Sequence, residues 1–319
     1  MILLLLKYII GMSPTFSQTE EIHKDLMKGS YEKLIEVFSS SRYNIRKGIY
    51  KEYLQSYGEE IQNHLPNGDF KSLIEFSLMH PAYLNAYCLY EALYQKEKDK
   101  KLIADILATL SNEEIYEVRT AYQQVLIDWE LKNSSLEFDL SIKLDGLFRN
   151  ICLSLVFGRK NTSLFNSDME ASRKLARVLF DSCEGRVSAD KLSFIRVLTN
   201  ESKPVLQMIE KAYEEFTGGV KIDETIYNEF HGDDRRILLL SKNFELGKYE
   251  TYCNQLNDSI HEYDRDLKNL IRILLTRSEI DLDQIKRYFL KKFGRPLKQA
   301  IEQGTVERFK EFLMKFCRD

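Results

Sequence analysis

One apolar pattern recurs four times along this chain with the same internal spacing, and it restricts the possible folds more than any other feature. Take Leu34, Ile103, Phe194 and Leu270 as origins. Three residues on stand Val37, Ile106, Val197 and Ile273, and one residue further Phe38, Leu107, Leu198 and Leu274. Fifteen residues from the origins stand Ile49, Val118, Ile209 and Ile285, and nineteen from them the aromatics Tyr53, Tyr122, Tyr213 and Phe289. Residues three and four apart share one helix face, so the first offsets mark one amphipathic helix and the later pair marks the next. Any amphipathic helix produces the first spacing. Four helix pairs with one common step, each closed by an aromatic, point to a repeated module.

The origins are 69, 91 and 76 residues apart. A module of about 70 residues is longer than the two-helix tetratricopeptide, ankyrin or HEAT repeat, so each must hold more than two helices. Further helical segments precede the anchored pairs, as at 19–28 and 87–93, and follow them, as at 57–63 and 70–79. About five short helices per module result. Scarce proline (5) and modest glycine (14) suit an all-α chain joined by short turns. The stretch 157–168, FGRKNTSLFNSD, is polar and turn-rich and reads as a linker. The division expected is an extension at 1–16, modules at 17–84 and 85–156, the linker, and modules at 169–246 and 247–319.

An apolar share of 44% and a charged share of 30% describe a soluble globular chain. The net charge of −3 gives no whole-molecule field for nucleic acid, so none is expected as a partner. Cys88, Cys152, Cys183, Cys253 and Cys317 are widely spaced, odd in number and without a C-x-x-C pair. They read as buried or free thiols in a reducing compartment, which favours the cytoplasm. The apolar opening at 1–10 is shorter than the roughly 18 residues a membrane span needs. An incidental extension, a sticky anchoring segment and a weak signal all fit it. No nucleophile elbow, phosphate loop, zinc helix or EF-hand loop is found, so no enzyme activity is expected. His231 beside Asp233 and Asp234 reads as a polar turn. Trp129 reads as a half-buried packing residue or a membrane-dipping one.

Particular stretches then resemble a known family. Residues 270–302, LIRILLTRSEIDLDQIKRYFLKKFGRPLKQAIE, are similar to the fourth repeat of annexins, including the run from Arg277 to Leu282. Residues 86–122 look like the second annexin repeat, and SLMHPAYLNAY at 77–87 resembles the joint between the first two. The first module aligns from Thr19, and the third diverges but keeps its anchors and the long connection before it. The resemblance covers about residues 17–319 and is similar in kind to the divergent alpha-giardins. It implies four annexin-type repeats of about five helices each, in a curved, disc-like solenoid around a polar central channel. It also implies a convex face that binds anionic phospholipid, normally through calcium. In the family, three carbonyls of the first interhelical loop, M-K-G-x-G-T, and a carboxylate about forty residues later hold the ion, which as a hard cation takes six to eight oxygens.

Most of that motif is missing. The first module has Met27-Lys28-Gly29 followed by a shortened loop, with His64 where the acid belongs. The second has Tyr94 to Asp99 without glycines, and Lys143 at the acid position. The fourth has Ile260 to Arg265, with Gly304 in place of the carboxylate. In the third, Glu229 matches the distal acid, and the resemblance makes the carbonyls of Glu184, Arg186 and Ser188 its partners at one weak calcium site. Glu229 as a solvated acid near a helix start is the other reading. Lys96, Lys98, Lys100 and Lys101, joined by Lys143, offer a substitute: a basic loop pair in contact with anionic lipid, or else a solvated charged loop. Two functional classes stay open, a peripheral binder of anionic membranes and a scaffold on cytoskeletal filaments.

Overall fold

The structure, a computed structural model, describes residues 14–131, 134–158, 169–183, 190–261, 266–305 and 307–317. The apolar opening, most of the linker, and the loop residues Glu184, Arg186 and Ser188 lie outside the described residues. Among those described, all regular structure is helical. The first module has α1 (Pro14–Met27), α2 (Glu32–Ser40), α3 (Tyr43–Tyr57), a 3-10 turn (Ile61–His64) and α4 (Asp69–Ser77). The second has α5 (Pro81–Tyr94), α6 (Lys100–Leu107), α7 (Asn112–Asp128), α8 (Leu136–Lys143) and α9 (Gly146–Phe157). The third opens with α10 (Met169–Cys183), α11 (Lys191–Asn200), α12 (Lys203–Thr217) and α13 (Ile222–Glu229). The long α14 (Gly232–His261) follows, then α15 (Leu267–Arg277), α16 (Leu282–Phe293), α17 (Leu297–Gly304) and α18 (Glu307–Phe316).

The four origins fall at matching places, in α2, α6, α11 and α15, and each is fully buried. The residues at the four later offsets are buried as well. At about 1.5–3 kcal/mol for each fully buried large apolar side chain, these stripes form the main cohesive element of every module. The starts of the anchored helices are built alike too. In the last three modules an aspartate caps the helix, accepting from the amide one residue before the origin: Leu102 to Asp99 at 2.9 Å, Ser193 to Asp190 at 3.3 Å and Asn269 to Asp266 at 3.0 Å. In the first, the equivalent amide of Lys33 donates to Asp25 at 2.9 Å. Each such cap is worth about 1 kcal/mol.

The second helix of the pair ends on a left-handed glycine in three modules, at Gly58 (φ 73), Gly218 (φ 75) and Gly294 (φ 68). In the second module Ile127 stands at that place, α7 runs on to Asp128, and Glu130 takes the left-handed turn instead, at φ 57. A side chain is disfavoured there, which makes this a locally strained connection.

The chain divides into two compact units, residues 1–84 with 252–319, and residues 85–251. In the first, α18 packs on α2 and α15 on α4; in the second, α9 packs on α11 and α10 on α12. The expected linker falls within the span of the second unit. The backbone of α14 leaves helical geometry at Gly247 (φ −151, ψ 66), beside the expected division at 246. Among the described residues, no helix is long and apolar enough to cross a membrane.

Candidate functional site

The lysines singled out from the sequence meet in the second module because two short connections come together there, 95–99 between α5 and α6, and 144–145 between α8 and α9. Tyr94, at the end of α5, donates its hydroxyl to Asp139 of α8 at 3.1 Å, which holds that end against α8. The Lys143 ammonium lies 3.7 Å from the centre of the Tyr94 ring, a close cation–π contact. Lys100 Nζ lies 3.4 Å from Asp145 Oδ1 and 5.5 Å from the centre of the Phe148 ring. Lys98 folds back to donate to the Gln95 carbonyl at 2.7 Å, Lys96 is exposed, and Lys101 follows on α6, partly exposed. Two acids sit among them, the exposed Glu97 and Asp145, while Asp99 is occupied as a helix cap.

Beneath the lysines is a fixed platform. Asp139 is buried and accepts three hydroxyls, from Tyr122 at 2.8 Å, Ser134 at 2.6 Å and Tyr94 at 3.1 Å. Burial pushes the Tyr94 hydroxyl up to about 12, with the Asp139 charge adding to it. Tyr122 is pushed up further by the same causes in the same order. Both phenols therefore stay protonated and donating across any ordinary pH, and the ring under Lys143 keeps its place. On the opposite face of α8, Phe138 (51% exposed) and Ile142 (58%) stand one turn apart, with Ile142 next to Lys143.

Calcium, which the resemblance implies, does not fit three of the four modules. In the second, the expected carboxylate is replaced by the Lys143 ammonium, whose charge repels a metal ion. In the first, the place of the acid is taken by His64, whose Nε2 faces Glu59 at 3.1 Å, and the loop after α1 is a tight turn whose Lys28, Gly29 and Ser30 amides donate back to the Asp25 and Leu26 carbonyls of that helix. In the fourth, a Cβ placed on Gly304 would lie 2.3 Å from Ile260 Cγ2 and 3.2 Å from the Ile260 carbonyl, so the place of the acid is filled. In the third, Glu229 is partly exposed and 3.7 Å from Lys191 Nζ, which also takes its backbone carbonyl as an acceptor. Among the described residues, no three His, Cys, Asp or Glu side chains converge so as to hold a metal ion.

The crowding at Gly304 gives a direct test. Gly304→Glu is expected to cost about 1–3 kcal/mol of stability, the usual range for overpacking, and to gain nothing from calcium. Thermal denaturation with calcium and with chelator checks both; a variant as stable as wild type that calcium stabilises further would contradict the steric account.

Sequence reasoning did not find Tyr94 and Asp145 as the partners of Lys143 and Lys100, nor the apolar pair Phe138 and Ile142. The pair had a signal, an i, i+4 spacing opposite the buried Leu136, Asp139 and Leu140. Trp129 is 51% exposed, with one face stacked on Tyr90 at 5.5 Å, as expected of a half-buried packing residue. His231 is held by Arg235 through a 3.0 Å contact at its Nδ1, as a polar turn requires.

The family profile described as Annexin matches residues 252–316. Mouse annexin A13 is 30% identical over 284 residues, covering 88% of this chain and 87% of the relative. The solved structure of annexin III superposes with a TM-score of 0.85 at 27% identity, over 96% of this chain and 94% of that one. The calcium-bound structure of alpha-14 giardin matches with a TM-score of 0.76 over 95% and 99% of the two chains, at 17% identity, a likeness of fold.

Proposed function

The chain belongs to the annexin family, and from that premise we propose that it docks peripherally on anionic phospholipid membranes with its calcium dependence weakened or lost. The observation that carries the reading is Lys143 standing over Tyr94 at the place of the family's calcium-binding acid, beside Lys96, Lys98, Lys100 and Lys101. Near an anionic surface each lysine contributes about 1 kcal/mol. Ile142, the chain neighbour of Lys143, and Phe138 one turn before it are exposed apolar side chains of the same helix, of the kind that interfacial binding uses. Calcium keeps at most a weak site at Glu229 with the carbonyls of Glu184, Arg186 and Ser188, because an ion there must displace Lys191. The division into repeats at 17–84, 85–156, 169–246 and 247–319, with 157–168 as linker, belongs to this reading.

Co-sedimentation with anionic vesicles, in chelator and in calcium, tests it. Binding at low salt in chelator is expected, with calcium changing the bound fraction by less than about twofold, as a patch of lysines rather than an ion bridge requires. Absence of binding at low salt, together with co-pelleting on actin or microtubules, would overturn the membrane reading in favour of a filament scaffold. Binding that appears only with calcium would overturn the weakened dependence.

A further inference from the structure

In three modules the residue three places before the origin reaches across to the segment where the family's distal acid belongs. Tyr31 donates its hydroxyl to the His64 carbonyl at 3.3 Å. Lys100 Nζ lies 3.4 Å from the Asp145 carboxylate, two residues past Lys143. Lys191 Nζ donates to the Glu229 carbonyl at 2.5 Å and lies 3.7 Å from its carboxylate. Each of these two ammonium groups also faces an aromatic ring near that acid, Phe148 at 5.5 Å and Phe230 at 5.0 Å. In the fourth module the equivalent residue is the apolar Leu267, and contact of Gly304 with Ile260 closes the gap instead.

A bound divalent ion in such a place would draw carbonyl and carboxylate oxygens of one loop towards the other. An ammonium group does the same with one charge and three donors, and it is tethered to the helix start, so its occupancy does not depend on free ion. We propose that Lys100 and Lys191 act as tethered internal cations that pin the starts of α6 and α11 to the Asp145 and Glu229 segments of modules two and three without metal. The proposal is independent of the membrane reading, and its test contains no lipid.

Amide hydrogen exchange on the full-length chain in chelator decides it. Lys191→Met should speed exchange at 229–232 by about tenfold, the effect expected when one charge-assisted hydrogen bond is lost from a local opening, and Lys100→Met at 144–148 by about threefold, since its partner Asp145 is exposed to solvent. Exchange at 205–213 in α12 should stay unchanged, and the arginine variants, which keep charge and reach, should exchange as slowly as wild type. Millimolar calcium should leave the wild-type rates at both segments within about twofold, since the cation role is already filled. The inference is overturned if the methionine variants exchange at wild-type rates, if exchange also rises at 205–213, or if calcium slows the wild-type segments severalfold.

Discussion

Replacing Lys96, Lys98 and Lys143 together by glutamine should weaken binding to vesicles of about one-third anionic lipid, at low salt and in chelator, by between tenfold and a hundredfold. Three lysines at about 1 kcal/mol each give about 3 kcal/mol, roughly a hundredfold. Glu97 and Asp145, exposed among them, reduce this. Lys100 is left in place because its ammonium faces Asp145. The difference should shrink as salt approaches physiological strength, where screening sets in within about 8 Å. Vesicle titrations at two salt concentrations measure both effects. A variant that binds like wild type, or binding indifferent to salt, would remove the basis for assigning this surface to lipid.

Replacing Arg277 by alanine should destabilise the fold by about 3–5 kcal/mol, the usual cost of stranding a buried charge. Arg277 donates through Nε to Asp281 Oδ1 at 2.7 Å and through a terminal nitrogen to Oδ2 at 2.7 Å. The pair is buried, 3% and 8% exposed at the side chains, so solvent offers the carboxylate little compensation. The guanidinium also lies 5.1 Å from the centre of the Tyr252 ring. Removing both partners is a smaller injury: Arg277→Met with Asp281→Leu should recover a large part of the loss, because no charge is then left unpaired. Chemical denaturation of the single and double variants gives the comparison. Equal losses in the two would mean that packing, rather than the stranded carboxylate, sets the cost.

The fold was legible because its main determinant is periodic. The stripes from Leu34 to Phe289 repeat in register, and all of those side chains are buried in equivalent helices. Two further signals lie in the same register: the capping aspartates Asp99, Asp190 and Asp266, and the glycines Gly58, Gly218 and Gly294. Each is broken in one module, the caps in the first and the glycines in the second, which hides them beside an unbroken apolar pattern. The site was legible only as substitution. Lys143 and Gly304 could be read as residues unfit to bind calcium, since charge and side-chain chemistry are properties of the sequence. That Lys143 rests on Tyr94, that Lys100 meets Asp145, or that Ile260 fills the space at Gly304 depends on contacts between segments about fifty residues apart. No local pattern encodes those meetings.

The first compact unit joins segments from opposite ends of the chain, with α2 covered by α18. During synthesis the whole of 85–251 leaves the ribosome before the residues that complete that unit. The middle of the protein can therefore settle while α2 still waits with an apolar face uncovered, until 307–316 has emerged. A nascent chain halted before that point would present that face of α2 to chaperones or to other nascent chains, so the order of translation sets how long the face stays exposed.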